Sequence, residues 1–574
     1  MTIVQDGQSC QSHVQSSPLN ILDAGGGSFP EFIAQMSPIY DAVAALRETR
    51  SAPLLSLGRQ QLNLNCIFIC EDNAVRRTRA SSLTALMFLP YLVIAIAFLR
   101  KLFRIIFLRN EVTYPEGASV YSFLMALHTG RLYSPPYEFP FNVQLYGPVF
   151  YWTGSVLARI AHGDPLTTTI LCRSITFGAY LGCAVCAGLI CWKLEKRVLW
   201  AWIAVVLGLA CAWAVPWAAS ARPDVLAVFF ILLALRIYLG AEGRIWLVFV
   251  AAAVASLSWL TKQTTALVLF ALALDCLIGR RWKELGALVA GSVPIPAFIL
   301  AALSLRREPF LANYWASRNA VISWYGPVKG AIFGLRANSV ALVPICVALL
   351  GVVLIWRRRD YRSILLAVIF GSVSNLAAMA NVGASTNYLI LPWMLTLLMI
   401  PAGLSRIEQW TMRRTWIPVA ILIASTVLLA HQKFLLAQTL PSDLDASRVS
   451  SLTMLSDQSY LELLSREPQL LDPYVYGNFS LRKVWDDAPI LQRIDGEHYD
   501  LILMSMDPRF GSWAWGADMR AEMEGHYRVL CEADNRIAMV PQHRVDSVQA
   551  EDLTRIFKEP CNASANMPQY LGRG

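Results

Sequence analysis

Three short stretches carry the residues best suited to chemistry. Glu116 stands in Tyr114-Pro115-Glu116-Gly117, Asp224 in Ala221-Arg222-Pro223-Asp224, and Lys262 in Thr261-Lys262-Gln263. A carboxylate within hydrogen-bond reach can take the proton of a poor hydroxyl nucleophile as it attacks. Cations such as Arg222, Lys262 and Arg318 can stabilise charge growing on a departing phosphate. Each residue also has a plainer reading. Glu116 follows Pro115 at a helix start, where a carboxylate suits the positive end of the dipole. Asp224 likewise opens a helix, and a lone Lys between two apolar helices can extend to the water interface. What lifts the three above those readings is convergence on one face of a membrane.

That convergence depends on how the chain is threaded. Its 574 residues are 56% hydrophobic and only 16% charged, with a mean hydropathy of +0.45. Soluble globular chains are about 45–50% apolar and about 25% charged. A cytosolic enzyme, collagen, a small disulfide scaffold and a disordered tail are therefore excluded. Apolar runs long enough to span, at about 17–20 residues, lie near 83–99, 169–192, 198–217, 224–240, 245–260, 264–279, 285–304, 339–356, 363–380, 388–404 and 415–431. The stretch 147–161 is short, carries Arg159 and is expected to lie on the outer surface as a juxtamembrane helix. With the N-terminus inside, the short inner connections then hold 15 Lys and Arg, and the short outer ones hold only Arg222 and Lys262. This is the bias of the positive-inside rule. Arg100, Lys101, Arg104 and Arg109 run against it and are expected to reach toward lipid phosphates.

The fold class that follows is an α-helical polytopic membrane protein of about 11 transmembrane helices with a small C-terminal extracytoplasmic α/β domain. Residues 1–80 are polar and aperiodic and are expected to be poorly ordered; the membrane part covers 81–431, with long outer loops 109–168 and 305–338. The tail 432–574 differs in charge. It has 14 Lys and Arg against 21 Asp and Glu, whereas Met1–His431 has 35 against 19. Short strands are expected at 452–455, 468–474, 500–505 and 537–540, separated by helices at 457–466, 479–494 and 516–526. Cys531 and Cys561 can form a disulfide if the tail is outside, while Cys183-x-x-Cys186 reads as helix packing.

Charges within the spans are few, which argues against an ion-coupled transporter with acids at the midplane. Arg173 is expected to extend to the outer interface, and Asp275 to pair with Arg280 and Arg281 near the inner one. The outer loops add Lys329, Tyr314, Trp315, Trp324 and Tyr325, basic and aromatic groups suited to phosphate and sugar or to the interface itself.

The ordered set Tyr114-Pro115-Glu116-Gly117, Leu127-His128-Thr129-Gly130-Arg131-Leu132-Tyr133, Tyr146-Gly147-Pro148, Ala221-Arg222-Pro223-Asp224, Thr261-Lys262-Gln263 and Asn387-Tyr388 resembles GT-C superfamily membrane glycosyltransferases. The likeness is to bacterial aminoarabinose transferases and protein O-mannosyltransferases, over roughly 83–431. It implies transfer of a sugar from a polyprenyl-phosphate-linked donor to a glycan, lipid or protein acceptor on the outer face, with inversion. The membrane would be the bacterial inner one, with no nucleic acid involved. The implied base is Glu116, and the implied substrate contacts are Arg222, Asp224, Lys262, Arg318, Asn387, Tyr388 and Tyr146. Many relatives carry an acidic pair at the base, whereas here the neighbour is Pro115. Positions that hold a metal in some relatives carry Tyr146 or Gly147, and 305–338 has no His. No cofactor or metal ligand is expected, with a divalent metal left open. The alternative reading is a flippase or transporter of a lipid-linked or small polar solute, and a third is a scaffold whose tail binds envelope partners.

Overall fold

The computed structural model describes residues 81–317, 322–355, 358–381, 384–411, 416–430, 449–468, 471–505, 515–533 and 536–544. The expectation for 1–80, together with Arg318 and Cys561, falls outside them.

Each of the eleven apolar runs contains helix among its described residues, although the run 198–217 is helical only over Val198–Leu209 and continues as turns. The longest is Pro165–Glu195, started by Asp164, whose carboxylate accepts from the Thr167 amide at 2.7 Å. It packs against Val198–Leu209 and Asp224–Leu239. Among the described residues, three helices are long and apolar enough to cross a membrane: Pro165–Glu195, Trp282–Leu305 and Asp360–Ala378. Two bent pairs also qualify, Gly326–Arg336 with Ser339–Val352 at 93° and Thr386–Leu397 with Ile400–Thr411 at 51°. Shorter apolar helices such as Ile245–Trp259 and Gln263–Ile278 pack beside them. The outward surface is apolar as well: Trp202, Phe298 and Ile423 are 63%, 75% and 58% exposed. Rows of exposed large side chains of this kind suit lipid rather than water.

The stretch 147–161 forms a helix, Pro148–Ile160, packed against Glu116–Thr129. The tail carries a four-stranded sheet of β1 (Met454–Ser456), β2 (Leu501–Ser505), β3 (Tyr527–Ala533) and β4 (Arg536–Pro541), in the order β1-β2-β4-β3. β1 runs parallel to β2 with Met454 opposite Leu501, and β2 runs antiparallel to β4 with Ile502 opposite Met539. Helices Ser459–Leu464, Pro473–Leu481, Ala488–Asp495 and Ala517–His526 complete it. The strand expected at 468–474 is absent among its described residues, because Pro473 opens a helix there. Cys531 is disulfide-bonded. The free cysteines Cys172, Cys183, Cys186, Cys191, Cys211 and Cys276 are buried.

Polar residues gather at the two ends of the helices. Asp224 and Tyr238 bracket the Asp224–Leu239 helix, about 21 Å apart at 1.5 Å per residue, with apolar side chains and Arg236 between them. At the Tyr238 end, Asp275 pairs with Arg281 and also accepts from Arg362 Nε at 2.7 Å and from the Tyr238 hydroxyl at 3.2 Å. The pairing of Asp275 with Arg281 is as the sequence suggests; Arg362 comes from a distant helix.

Candidate active site

At the Asp224 end, four sequence segments meet. Gly147 donates its amide to Thr261 O at 3.2 Å, and Val149 donates to Leu260 O at 3.1 Å. This antiparallel touch pins Tyr146-Gly147-Pro148 onto the loop that carries Lys262. A Cβ on Gly147 would overlap Leu260 O, so only glycine permits the approach. Gln263 adds a bond from Nε2 to Leu145 O at 3.3 Å.

Asp224 lies at the centre. Its Oδ1 accepts from Lys262 Nζ and from Asn387 Nδ2, the latter at 2.6 Å. Its Oδ2 faces Arg222 Nε at 3.6 Å, an ion pair beyond hydrogen-bond range. The Lys262 ammonium sits 4.1 Å from the Tyr388 ring centroid, and the Arg222 guanidinium lies 5.2 Å from the rings of both Tyr146 and Trp217. Arg222 Nη1 also donates to Tyr114 O at 2.8 Å. Asp224, Lys262, Asn387 and Arg222 are 2%, 5%, 6% and 7% exposed, so two cations and one carboxylate are held out of water. Burying unpaired charge is expensive, and aromatic faces supply part of the compensation.

Polar atoms at this centre remain without a hydrogen bond. Arg222 Nε, Asp224 Oδ2, Asn387 Oδ1 and Trp217 Nε1 are buried without a hydrogen bond. Each such group costs about 1–3 kcal/mol, so their concentration in one place makes this the candidate site. The structure thus gathers six of the residues that the sequence singles out: Tyr146, Arg222, Asp224, Lys262, Asn387 and Tyr388. Trp217 was not anticipated, since one more Trp in an apolar run carries no signal.

Glu116, the expected base, is fully engaged by other groups. It is fully buried, and both of its oxygens are occupied. Oε1 accepts from Arg173 Nε at 2.8 Å and from the Ala221 amide at 2.7 Å; Oε2 accepts from Arg173 Nη2 at 2.6 Å and from the Val112 amide at 3.1 Å. A carboxylate so engaged has no lone pair turned to a substrate. Arg173 does not extend to the interface either. It also donates to Ile105 O, Leu108 O and Asn110 O at 3.2, 2.6 and 2.7 Å, closing the carbonyl end of Leu89–Ile106. Through the Ala221 amide, Glu116 sets the turn that presents Arg222 and Asp224.

A second acid was missed. Glu111 Oε1 accepts from the amides of Glu116 and Gly117 at 2.6 and 3.3 Å and from Ser459 Oγ at 2.9 Å; its Oε2 accepts from the Tyr460 amide at 3.3 Å. One carboxylate therefore serves two helix N-termini, Glu116–Thr129 and Ser459–Leu464. Burial, with the nearby charge of Glu116 adding to it, pushes its carboxyl up to about 7 despite those donors. An acid five residues before a helix start was the available sequence signal. Gly117 lets the helices touch, because a Cβ there would overlap Tyr460 N. The outer-loop aromatics Trp315, Trp324 and Tyr325 are exposed and stand outside the centre.

No protein-family model matches the chain, and no curated protein sequence does. Among solved structures, it is similar to ArnT from Cupriavidus metallidurans bound to undecaprenyl phosphate, with 13% identity, 77% of this chain and 97% of that one covered, and a TM-score of 0.47. It is also similar to the archaeal oligosaccharyltransferase AglB from Archaeoglobus fulgidus in complex with an inhibitory peptide and a dolichol-phosphate. There the identity is 10%, coverage is 79% and 74%, and the TM-score is 0.49.

Proposed function

We propose that the chain is an integral membrane glycosyltransferase that moves a sugar from a polyprenyl-phosphate donor to a glycan, lipid or protein acceptor on the extracytoplasmic face, with inversion. The observation that carries this reading is the convergence of Arg222 and Lys262 on Asp224, with Arg222 Nε and Asn387 Oδ1 buried without a hydrogen bond. A lipid phosphate is the ligand such a pair fits. It is anionic, its growing charge in the transfer needs cations, and its tail belongs among apolar helices. The distribution of charge supports the placement, with this centre at one end of the helix bundle and the Asp275 network at the other. The disulfide at Cys531 supports an oxidising compartment for the sheet. In this reading eleven helices cross the membrane.

Direct displacement at the anomeric carbon requires one proton acceptor and no covalent intermediate, which is the basis for inversion. Lys262 and Arg222 would face the departing phosphate, and the proposed step calls on no cofactor. The test is mass spectrometry of envelope glycans from cells lacking the chain and from cells carrying Lys262→Ala. Loss of one sugar modification in both, with the lipid-linked donor retained, is expected. An unchanged glycan profile in both would overturn the reading.

A further inference from the structure

We propose that Asp224 is the proton acceptor of the transfer, and that Lys262 and Arg222 keep it closed until a lipid phosphate takes over those cations. The inference rests on the transferase reading above. Three acids stand near the centre, and they differ in what they have left to offer. Glu116 has both oxygens committed to Arg173 and to backbone amides. Glu111 is spent on two helix starts. Asp224 alone of the three keeps an oxygen, Oδ2, that is buried and has no hydrogen bond. Beside it, Asn387 donates to Oδ1 and leaves its own Oδ1 unpartnered, a second acceptor for a hydroxyl.

The arrangement is self-blocking. A carboxylate flanked by two cations attracts a proton weakly, and the same cations are partly neutralised toward any incoming anion. A phosphate that draws Lys262 and Arg222 to itself removes both restraints at once. In the step itself, the acceptor oxygen forms its bond to the anomeric carbon as the bond from that carbon to the phosphate oxygen breaks. The electron pair of the broken bond stays on the lipid phosphate, which gains one negative charge between Lys262 and Arg222. The hydroxyl proton passes to Asp224 Oδ2. When the lipid phosphate leaves, the proton is lost to water and Asp224 recovers its cations.

The experiment measures binding of undecaprenyl phosphate to the purified full chain in nanodiscs by native mass spectrometry, beside the envelope glycan readout in cells. Asp224→Asn should bind undecaprenyl phosphate about tenfold tighter, because a competing carboxylate is gone and the open state is populated. It should lose transfer by about 100-fold or more, the usual weight of a general base. Lys262→Met should lose binding. A residue that only organised the cations would behave otherwise, and Asp224→Asn binding that is weaker or unchanged would overturn the proposal, as would retained transfer. Should Asp224→Asn fail to fold, Asp224→Glu decides, since a longer carboxylate should keep measurable transfer and complete loss would count against the base role. Absence of binding by the wild-type chain would sink the transferase reading itself.

Discussion

Glu116 and Arg173 form a two-pronged ion pair sealed from solvent, at 2.8 and 2.6 Å with both side chains 0% exposed. Removing one partner leaves the other charge buried and uncompensated, at a cost of about 3–5 kcal/mol. Glu116→Gln is therefore expected to lower the yield and melting temperature of the purified protein, and the added change Arg173→Met to restore part of the loss. Circular-dichroism melts in detergent read both. A Glu116→Gln protein of full stability and no transfer would return the proton-accepting role to Glu116.

Gly147 offers a test of how the site is assembled. Gly147→Ala must push the Tyr146 segment away from Leu260 and so move Lys262, with a cost of about 1–3 kcal/mol for overpacking. Gly178→Ala is the control. A Cβ there meets nothing within 4 Å, and alanine favours the helix by about 0.5–1 kcal/mol. Undecaprenyl phosphate binding should fall for the first variant and hold for the second.

The sequence carries the helices and the convergence of the motifs for one physical reason. Apolar runs must be helical in lipid, and most charged residues fall near their ends. Tyr146, Arg222, Asp224, Lys262, Asn387 and Tyr388 all stand at such ends, and the fold brings them together. Pairings across the bundle do not show in local spacing. Arg173 lies 57 residues from Glu116 on the longest helix, where it reads as a stray charge. Glu111 reads as an ordinary loop acid, because its partners Ser459 and Tyr460 come from the far end of the chain.

Glu111 predicts a pH dependence. Its folded value of about 7 lies above its ordinary 4.5, so the folded state holds the proton more tightly than the unfolded one. Its contribution to stability is full below about 4.5 and is lost as pH rises through about 7. The contact between Ser459–Leu464 and Glu116–Thr129 should loosen accordingly on the alkaline side. Melting temperature followed from pH 5 to 8 should fall in the wild type relative to Glu111→Gln, which cannot ionise. Parallel curves for the two proteins would remove Glu111 as the source.

Arg222 separates charge from shape. Its guanidinium lies 5.2 Å from the Tyr146 and Trp217 ring centroids while Nη1 holds Tyr114 O at 2.8 Å, a set of contacts that an ammonium cannot reproduce. Arg222→Lys keeps the positive charge but gives up the guanidinium between the two rings, the bond to Tyr114 and the second donor for a phosphate oxygen. If the site works by directed hydrogen bonds, this substitution should weaken undecaprenyl phosphate binding by about tenfold, which is 1.4 kcal/mol. The lost affinity should not return at low ionic strength, because the missing element is geometric rather than a screened charge. Equal binding by Arg222→Lys and wild type would mean that net charge alone recruits the lipid, and the aromatic walls around Arg222 would then serve stability rather than recognition.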